Sequence, residues 1–419
     1  MQQPSLNIQT LNISPREFDQ RTERLLAVVQ EHGLGGAVLF DNYYILYFSG
    51  FAFVPTERPV AFVLSARGER ALFVPRLELE HARAQTGFAR VDHYREYPDK
   101  PHPMEALHET LRDMGVTGSG SGFGSDSDSD SGSIGADHDG YPWILGYRGP
   151  ALSDLTGGTV VRLNAEIEDL LMMKSAAEIA LIRESVKWGN LAHRLLQRYT
   201  RVGETETDVS SRASIEATRA MLDALGGLYQ AQSPFGDGAS AGYRGQIGRN
   251  AAIPHALAGN ITFQQGDVLV TGANAPMWGY NSELERTMVI GAPSARQHEL
   301  FDHMLRAQET ALAALRPGAE CADVDRAVRA YYEEHDLTPY WKHHSGHAVG
   351  LRYHEGPFLD VGDHTTIQPG MVFTVEPGLY APELGGFRHS DTVLVTDDGI
   401  ETLTYYPRDL ESLTIDSLG

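Results

Sequence analysis

Three segments near the end of the chain decide its fold: HHSGHAVGLRYHEGP (343–357), FTVEPGLY (373–380) and GGFRHSDTVLVT (385–396). Each joins a short apolar run, typical of a strand, to a Gly or Pro turn and to His, Glu or Arg side chains. A proline–glycine pair ends the strand FTVE directly after Glu376, and His347 and His354 flank the bend GLR. Sheet enzymes present metal ligands and acid–base groups at strand ends, so we expect an active site here.

Composition describes a water-soluble chain with a large core. The 419 residues, of which 42% are hydrophobic, predict two or three domains. No apolar run reaches the roughly 20 residues that span a bilayer, and the N-terminus has neither the basic nor the apolar region of a signal peptide. We therefore expect a cytoplasmic protein without a membrane partner. The single cysteine, Cys321, excludes an internal disulfide and a cysteine-based metal site.

The charge balance limits the partners. A net charge of −22 argues against nucleic acid, because binding to phosphates requires a basic face. The 34 basic residues comprise 4 lysines and 30 arginines. An acidic, lysine-poor surface of this kind indicates a halophilic protein, since high salt screens the repulsion between its carboxylates. We expect a small molecule as the substrate.

The order of helical and strand-like segments predicts two domains. Residues 1–168 alternate helices with short apolar strands, which indicates an α/β domain. Within it, residues 117–133 (TGSGSGFGSDSDSDSGS) have low complexity and are predicted to be a flexible surface insertion. Residues 169–419 interleave strands with paired helices, which indicates an α+β catalytic domain containing the three decisive segments.

These segments resemble the pita-bread domain shared by methionine aminopeptidases, Xaa-Pro peptidases and creatinase. The N-terminal half resembles the smaller domain of creatinase and prolidase-type members. The peptidases of this family bind two metal ions through five side chains: two Asp, one His and two Glu. In this sequence the five positions hold Gly272, Glu283, His347, Glu376 and Ser390. Because glycine offers no side-chain ligand and serine is a poor ligand for hard metals, a two-metal site is not expected.

The local match favours creatinase, the member of the family that works without metal. The segment ERPVAFVL resembles the creatinase segment whose arginine reaches into the partner subunit and binds the substrate carboxylate. This resemblance implies a homodimer and assigns that role to Arg58. It also places His255 where the family has its acid–base histidine, and Glu285 where a glutamate pairs with the substrate guanidinium. Glu376 would be the second guanidinium partner.

The first hypothesis is therefore a creatinase-like hydrolase that needs no cofactor and cleaves a C–N bond of a small zwitterionic, guanidino or amidine compound. Two carboxylates can hold a planar cation by charge-assisted hydrogen bonds. A histidine whose pKa is near neutrality can take a proton from water and return it to the leaving nitrogen. The residues predicted to take part are His255, Glu376, His347 and His354 in catalysis, and Arg58, Glu285 and Arg352 in substrate binding.

Two alternatives stay open. His354, in YHEGP, is a peptidase-like feature that creatinase does not share. It supports an Xaa-Pro dipeptidase or aminopeptidase that binds a divalent metal through an atypical set of ligands, namely Glu283, His347, Glu376 and His389. The other alternative is a pita-bread domain without catalysis that serves as a binding protein. The retained His255 and Glu376 argue against it.

Overall fold

A computed structural model describes residues 11–85, 87–117, 132–234 and 236–416. Almost all of the predicted flexible insertion at 117–133 lies outside these residues. The chain divides into two compact units, Ile13–Leu171 and a second that begins at Met172. Among the described residues, no helix has both the length and the apolar character needed to cross a bilayer.

The N-terminal unit is a mixed six-stranded sheet with helices, in the order β4-β3-β2-β1-β5-β6. The first helix begins as the sequence predicts, because the Ser14 hydroxyl accepts a hydrogen bond from the amide of Glu17 and Pro15 is the first helical residue. The elements of this unit are α1 (Pro15–Glu31), β1 (Gly36–Leu39), α2 (Asn42–Ser49), β2 (Ala61–Ser65), β3 (Arg70–Pro75), α3 (Leu79–Gln85), β4 (Val91–Tyr94), α4 (Pro103–Asp113), β5 (Ile134–Ala136), α5 (Leu152–Thr156), β6 (Val160–Arg162) and α6 (Asn164–Met172).

The C-terminal unit combines two helix pairs with a large antiparallel sheet. Its elements are α7 (Ala176–Tyr199), α8 (Glu206–Leu225), β7 (Ser240–Gly242), β8 (Val268–Val270), β9 (Gly272–Asn274), β10 (Leu284–Glu285), β11 (Thr287–Ile290), α9 (Ala295–Ala314), α10 (Cys321–Glu334), β12 (Gly346–Ala348), β13 (Glu355–Leu359), β14 (Val372–Val375), β15 (Gly378–Ala381), β16 (Gly385–Arg388), β17 (Ser390–Thr396), β18 (Gly399–Thr402) and β19 (Thr414–Ile415).

The main sheet has the order β13-β12-β14-β17-β10-β9-β7, and β18 pairs with β17. Helices α7 and α8 pack at the β7–β9 end, whereas α9 and α10 pack near β13 and β14. Smaller sheets join β19, β11 and β8, and pair β15 with β16. Apolar residues of both the strands and the helices are buried between these layers, so the predicted α+β class is confirmed for this unit.

Strand register positions the polar residues of the C-terminal unit. The four neighbouring strands β12, β14, β17 and β10 are aligned so that Val375 pairs with Asp391 and Glu285 pairs with Ser390. His347 lies on β12, and Glu376 directly follows β14. The sheet therefore brings together side chains that are more than one hundred positions apart in the sequence.

A buried ion pair ties the start of the C-terminal unit to this sheet. Lys174, just before α7, donates to Glu355 at the start of β13, and the side chains are 1% and 2% exposed. The pair leaves room only for glycine at position 350, where an added Cβ would lie 2.5 Å from Oε1 of Glu355 and 3.0 Å from Cε of Lys174.

Removing one member of this pair should destabilise the protein strongly. We expect Lys174→Met to lower the free energy of unfolding by about 3–5 kcal/mol, because the Glu355 carboxylate would stay buried without a counter-charge. The double variant Lys174→Met/Glu355→Leu should lose less, since it removes both charges. Urea unfolding of the three proteins, followed by circular dichroism, checks this expectation. A single variant that loses less than about 1 kcal/mol would contradict it.

Candidate active site

Three side chains of the C-terminal unit form a cluster suited to a metal ion. One ligand atom from each of Glu283, His347 and His354 lies within 4.8 Å of the others. Glu283 and His347 are buried, and His354 is exposed. The rings of His347 and His354 stack with their centroids 3.8 Å apart. Two imidazoles and a carboxylate are a common ligand set for divalent transition metals.

The environment of His347 prepares one of its nitrogens for a ligand. Nδ1 lies 2.9 Å from the carbonyl oxygen of Ala348, and a proton on Nδ1 is donated to that oxygen. In the neutral ring this contact leaves the lone pair on Nε2, which is the arrangement of many metal-binding histidines. Nε2 is buried, has no well-aligned hydrogen-bond partner and lies 3.2 Å from Oε1 of Glu376. Nε2, the atom that would bind a metal, therefore faces the carboxylate of Glu376.

The charges in the cluster also call for a cation. Burial raises the pKa of Glu283 to about 8, and the neighbouring carboxylates of Glu376 and Glu285 add to the increase. Burial would lower the pKa of His347, but the contact with Glu376 and the charges of Glu376 and Glu283 raise it to about 9. The pKa of Glu376 is lowered because His347 outweighs burial. Without a metal, protonated His347 is the counter-charge of these carboxylates, and a divalent cation would replace that proton as their counter-charge.

Glu285 is bound by two arginines of the protein. Its carboxylate accepts hydrogen bonds from Nε and Nη2 of Arg388, the latter at 2.8 Å, and from Nη2 of Arg244 at 2.6 Å. Glu285 and Arg388 are both buried. A substrate guanidinium would have to displace these two arginines. The hypothesis that Glu285 binds a substrate cation stays a prediction, and within the protein this carboxylate already has two counter-ions.

Two of the five ligand positions of the family, those occupied by Gly272 and Ser390, contribute no carboxylate. At Gly272 an added Cβ would meet only Oε1 of Glu285, at 3.7 Å, so the space of the missing side chain borders a carboxylate that Arg244 and Arg388 already bind. The Ser390 hydroxyl donates to Oε1 of Glu283 at 2.6 Å. The donors that are present fit one divalent ion bound by Glu283, His347 and His354. One carboxylate oxygen from each of Glu283, Glu285 and Glu376 also lies within 4.8 Å of the others, but Arg244 and Arg388 already bind Glu285.

The cluster opens into a cavity of about 310 Å³. This volume is at the small end of the range of ligand pockets, roughly 300–1,000 Å³. All but one of the residues that line the cavity have a polar or charged side chain. It is lined by Arg244, Pro254, His255, Glu283, Glu285, Lys342, His343, His344, His354, Glu376 and Arg388.

The structure brings most of the predicted residues to this cavity. His255, exposed in a turn, lines it together with Glu283, Glu285, His354 and Glu376. His347 belongs to the adjoining metal cluster.

Three predicted residues make other contacts. Arg58 belongs to the N-terminal unit, where Nε donates to Glu96 at 2.7 Å and Nη1 donates to Glu57 at 2.6 Å. Arg352 is half-buried in the turn before β13, and its amide donates to Glu355.

His389, the conditional metal ligand, is buried against the ring of Phe301, with the ring centroids 5.2 Å apart. Burial and the charge of Arg286 keep the pKa of His389 far below its usual value. Among the described residues it does not join the metal cluster, so its assignment as a ligand is corrected.

Sequence reasoning did not assign Arg244, Lys342, His343 and His344, which also line the cavity. The two histidines stand at the start of the first decisive segment, and that position was the available signal. Arg244 has a φ of 52°, which is uncommon for a residue other than glycine and recurs at functional sites. From this backbone conformation the guanidinium of Arg244 reaches Glu285. No sequence pattern predicted this contact.

Comparison with known proteins decides the family. The model of metallopeptidase family M24 matches residues 180–397, just over half of the chain, and that of the creatinase/prolidase N-terminal domain matches residues 21–128. The chain belongs to metallopeptidase family M24. Its architecture, a creatinase/prolidase N-terminal domain followed by a pita-bread domain, agrees with the fold that the sequence predicts.

Similar proteins carry dipeptidase names. An Xaa-Pro dipeptidase from Pyrococcus furiosus is 26% identical over 93% of this chain and 99% of its own length. A probable dipeptidase PepE from Mycobacterium tuberculosis is 28% identical over 94% of this chain and 98% of its own length. The structure of dipeptidase PepE from Mycobacterium ulcerans superposes with a TM-score of 0.78 at 26% identity, covering 97% of this chain and 100% of that one.

These findings correct two predictions. The hypothesis of a creatinase-like hydrolase acting on a guanidino or amidine compound is wrong, because the relatives are Xaa-Pro dipeptidases and the match is to a metallopeptidase family. The expectation that no cofactor is needed is wrong for the same reason, and the structure adds a cluster of metal ligands. Gly272 and Ser390 do lack the carboxylates of the family, but their presence does not exclude an ion bound by the side chains that remain.

Proposed function

We propose that the protein is a metal-dependent dipeptidase of the Xaa-Pro type. The observation that carries this proposal is the position of the Glu283, His347 and His354 cluster beside a small polar cavity. A cavity of about 310 Å³ suits a short substrate and has little room for the chain of a long peptide. The names of the most similar proteins support the same reaction class.

The residues have separate roles in this proposal. Glu283, His347 and His354 would hold a divalent ion, which lowers the pKa of a bound water and polarises the peptide carbonyl. Glu376 lines the cavity and lies 3.2 Å from Nε2 of His347, so its carboxylate is placed to accept the proton of the attacking water. His255, at the exposed edge of the cavity, can return a proton to the leaving nitrogen. Arg388 neutralises Glu285 by two hydrogen bonds.

The resemblance also supports a homodimer, which we include in the proposal. Arg58 would then act in the site of the partner subunit after exchanging its present contacts with Glu96 and Glu57 for a substrate carboxylate. Sedimentation velocity of the purified protein tests the dimer. Mixed dimers of Arg58→Ala and His255→Ala subunits test the shared site, because one site in each mixed dimer would keep both residues and regain activity.

Hydrolysis should depend on metal. We expect protein stripped by a chelator to lose cleavage of alanyl-proline, and Mn²⁺, Co²⁺ or Zn²⁺ to restore it. The measurement is proline release, with alanyl-alanine as the comparison substrate. Cleavage that is unchanged after metal removal would overturn the proposal. Metal-loaded protein that binds alanyl-proline but cleaves no dipeptide would instead support the alternative of a binding protein.

A further inference from the structure

Lys342 is a cation of the cavity wall for which the described residues provide no counter-ion. It is one of only four lysines in a chain with 56 acidic residues. Its Nζ donates to the carbonyl oxygen of Ala252 at 2.7 Å. Within the described residues no carboxylate lies within 4.0 Å of this ammonium group. An ammonium group has three donors, so two of them are left for a ligand in the cavity.

Other lysines of the same unit are paired. Lys174 is bound by Glu355 in the interior, and Lys187 lies 3.1 Å from Glu184 on the surface of α7. Lys342 differs from these two lysines, because no carboxylate of the described residues pairs with it. Lys342 is exposed, and its local contacts, a carbonyl group and the ring of Tyr380 at 5.4 Å, are neutral, so that solvent alone compensates its charge until an anion binds.

Two arginines share the wall with Lys342, and they differ in what they can still bind. All three nitrogens of the Arg388 guanidinium are engaged, by Glu285 and by the Tyr380 hydroxyl at 3.0 Å. Arg244 uses only Nη2, toward Glu285 and Gln246. Its Nε and Nη1 have no partner within the described part of the chain. Among the Lys and Arg side chains of the wall, Lys342 and Arg244 are therefore the two that keep donors for a ligand.

We propose that Lys342, assisted by Arg244, binds the free carboxylate of the substrate and so determines specificity for dipeptides. This inference rests on the proposed function. An anion is the ligand that would compensate the ammonium charge, and charge-assisted hydrogen bonds to a carboxylate are the strong ones. In a dipeptide with uncharged side chains, the terminal carboxylate is the only anion. A peptide extended at this end, or amidated there, loses the contact.

A purely structural role would be the alternative. Lys342 could serve only to hold the short 3₁₀ helix Gly248–Ala252 through the carbonyl group of its last residue. Such a role predicts the same loss for every substrate when Lys342 is replaced. A carboxylate-binding role predicts a loss that depends on the charge at the end of the substrate. The two roles are therefore separated by comparing an acid with its amide.

The experiment measures kcat and KM for alanyl-proline and alanyl-prolinamide with metal-loaded wild type, Lys342→Met and Lys342→Arg. For Lys342→Met we expect KM for the free acid to rise about 10- to 100-fold, the scale of one charged hydrogen bond. We expect kcat to change less than about threefold, because the contact forms equally in the ground state and the transition state. KM for the amide should stay within about twofold. Lys342→Arg should keep most of the discrimination.

Controls separate folding and function. Lys187→Met removes a surface lysine of the same unit and should leave both KM values unchanged. The melting temperature of each variant reports on folding. Equal losses for acid and amide, or an unchanged KM for the acid, would overturn the role of Lys342. If wild type cleaves no dipeptide, the proposed function fails, and calorimetric binding of N-acetyl-proline to wild type and Lys342→Met still decides whether Lys342 binds a carboxylate.

Discussion

Replacing Glu283 with glutamine is expected to abolish metal binding and to lower kcat/KM for alanyl-proline by about 10³-fold. Glutamine keeps the shape of the side chain and can still accept the hydrogen bond from the Ser390 hydroxyl. It removes the negative charge that joins His347 and His354 in the cluster. A catalytic metal contributes several kcal/mol to transition-state stabilisation, and each 1.4 kcal/mol is about tenfold in rate.

The measurement combines metal content by mass spectrometry with steady-state kinetics on the same preparations. Glu401→Gln is the matched control. It makes the same substitution at a surface glutamate that pairs with Arg183 and is not a member of the metal cluster. This control should keep its metal and its activity. A Glu283→Gln protein that retains one metal ion per chain and near-normal turnover would remove Glu283 from the ligand set.

Restoring the two lost carboxylates is expected to change the metal content from about one ion per chain to about two. Two-metal sites place their ions about 3.5–4 Å apart and need bridging carboxylates. Gly272→Asp has room for its Cβ, because the nearest atom is Oε1 of Glu285 at 3.7 Å. Ser390→Glu places a second carboxylate beside Glu283, where the serine hydroxyl now donates. The two new negative charges would repel their neighbours unless a second cation binds.

Isothermal titration of the metal-free Gly272→Asp/Ser390→Glu protein with Mn²⁺ gives the number of sites. The single variants are the controls and should bind about one ion, since each provides only half of the missing ligands. The melting temperature should fall without metal and recover when it is added, because metal bound to the folded state stabilises it. A double variant that still binds one ion would show that Arg388 and Arg244 block the second position.

The polar residues at the strand ends could be predicted because their signals are local. Glu376 is followed by a proline and a glycine, which end a strand whatever the rest of the chain does. His347 and Glu283 likewise stand in short segments whose resemblance assigns them. The partners of Glu285 could not be predicted in this way. Arg388 is 103 positions away from it and Arg244 is 41, so only the pairing of β10 with β17 and the conformation of Arg244 bring them together.

His389 illustrates a prediction that the sequence had the means to avoid. Neighbouring residues of an extended segment point to opposite sides. Arg388 lines the cavity and the Ser390 hydroxyl bonds to Glu283, so the side chain between them faces the other way. It packs against Phe301 of α9, where both of its nitrogens are buried without a partner. Composition suggested a ligand, but strand periodicity excludes it.

Under the proposed function, the buried pair of Lys174 and Glu355 affects the range of metal concentrations in which the protein would work. Glu355 adjoins His354, the one exposed member of the metal cluster, so Lys174 restrains a ligand from 180 positions away. Without this ion pair, His354 would be less ordered before metal binds. Ordering it during binding would then lower the affinity for metal. Folding and metal supply are therefore linked, and at limiting metal a small defect at Lys174 would act as a loss of activity before the protein unfolds.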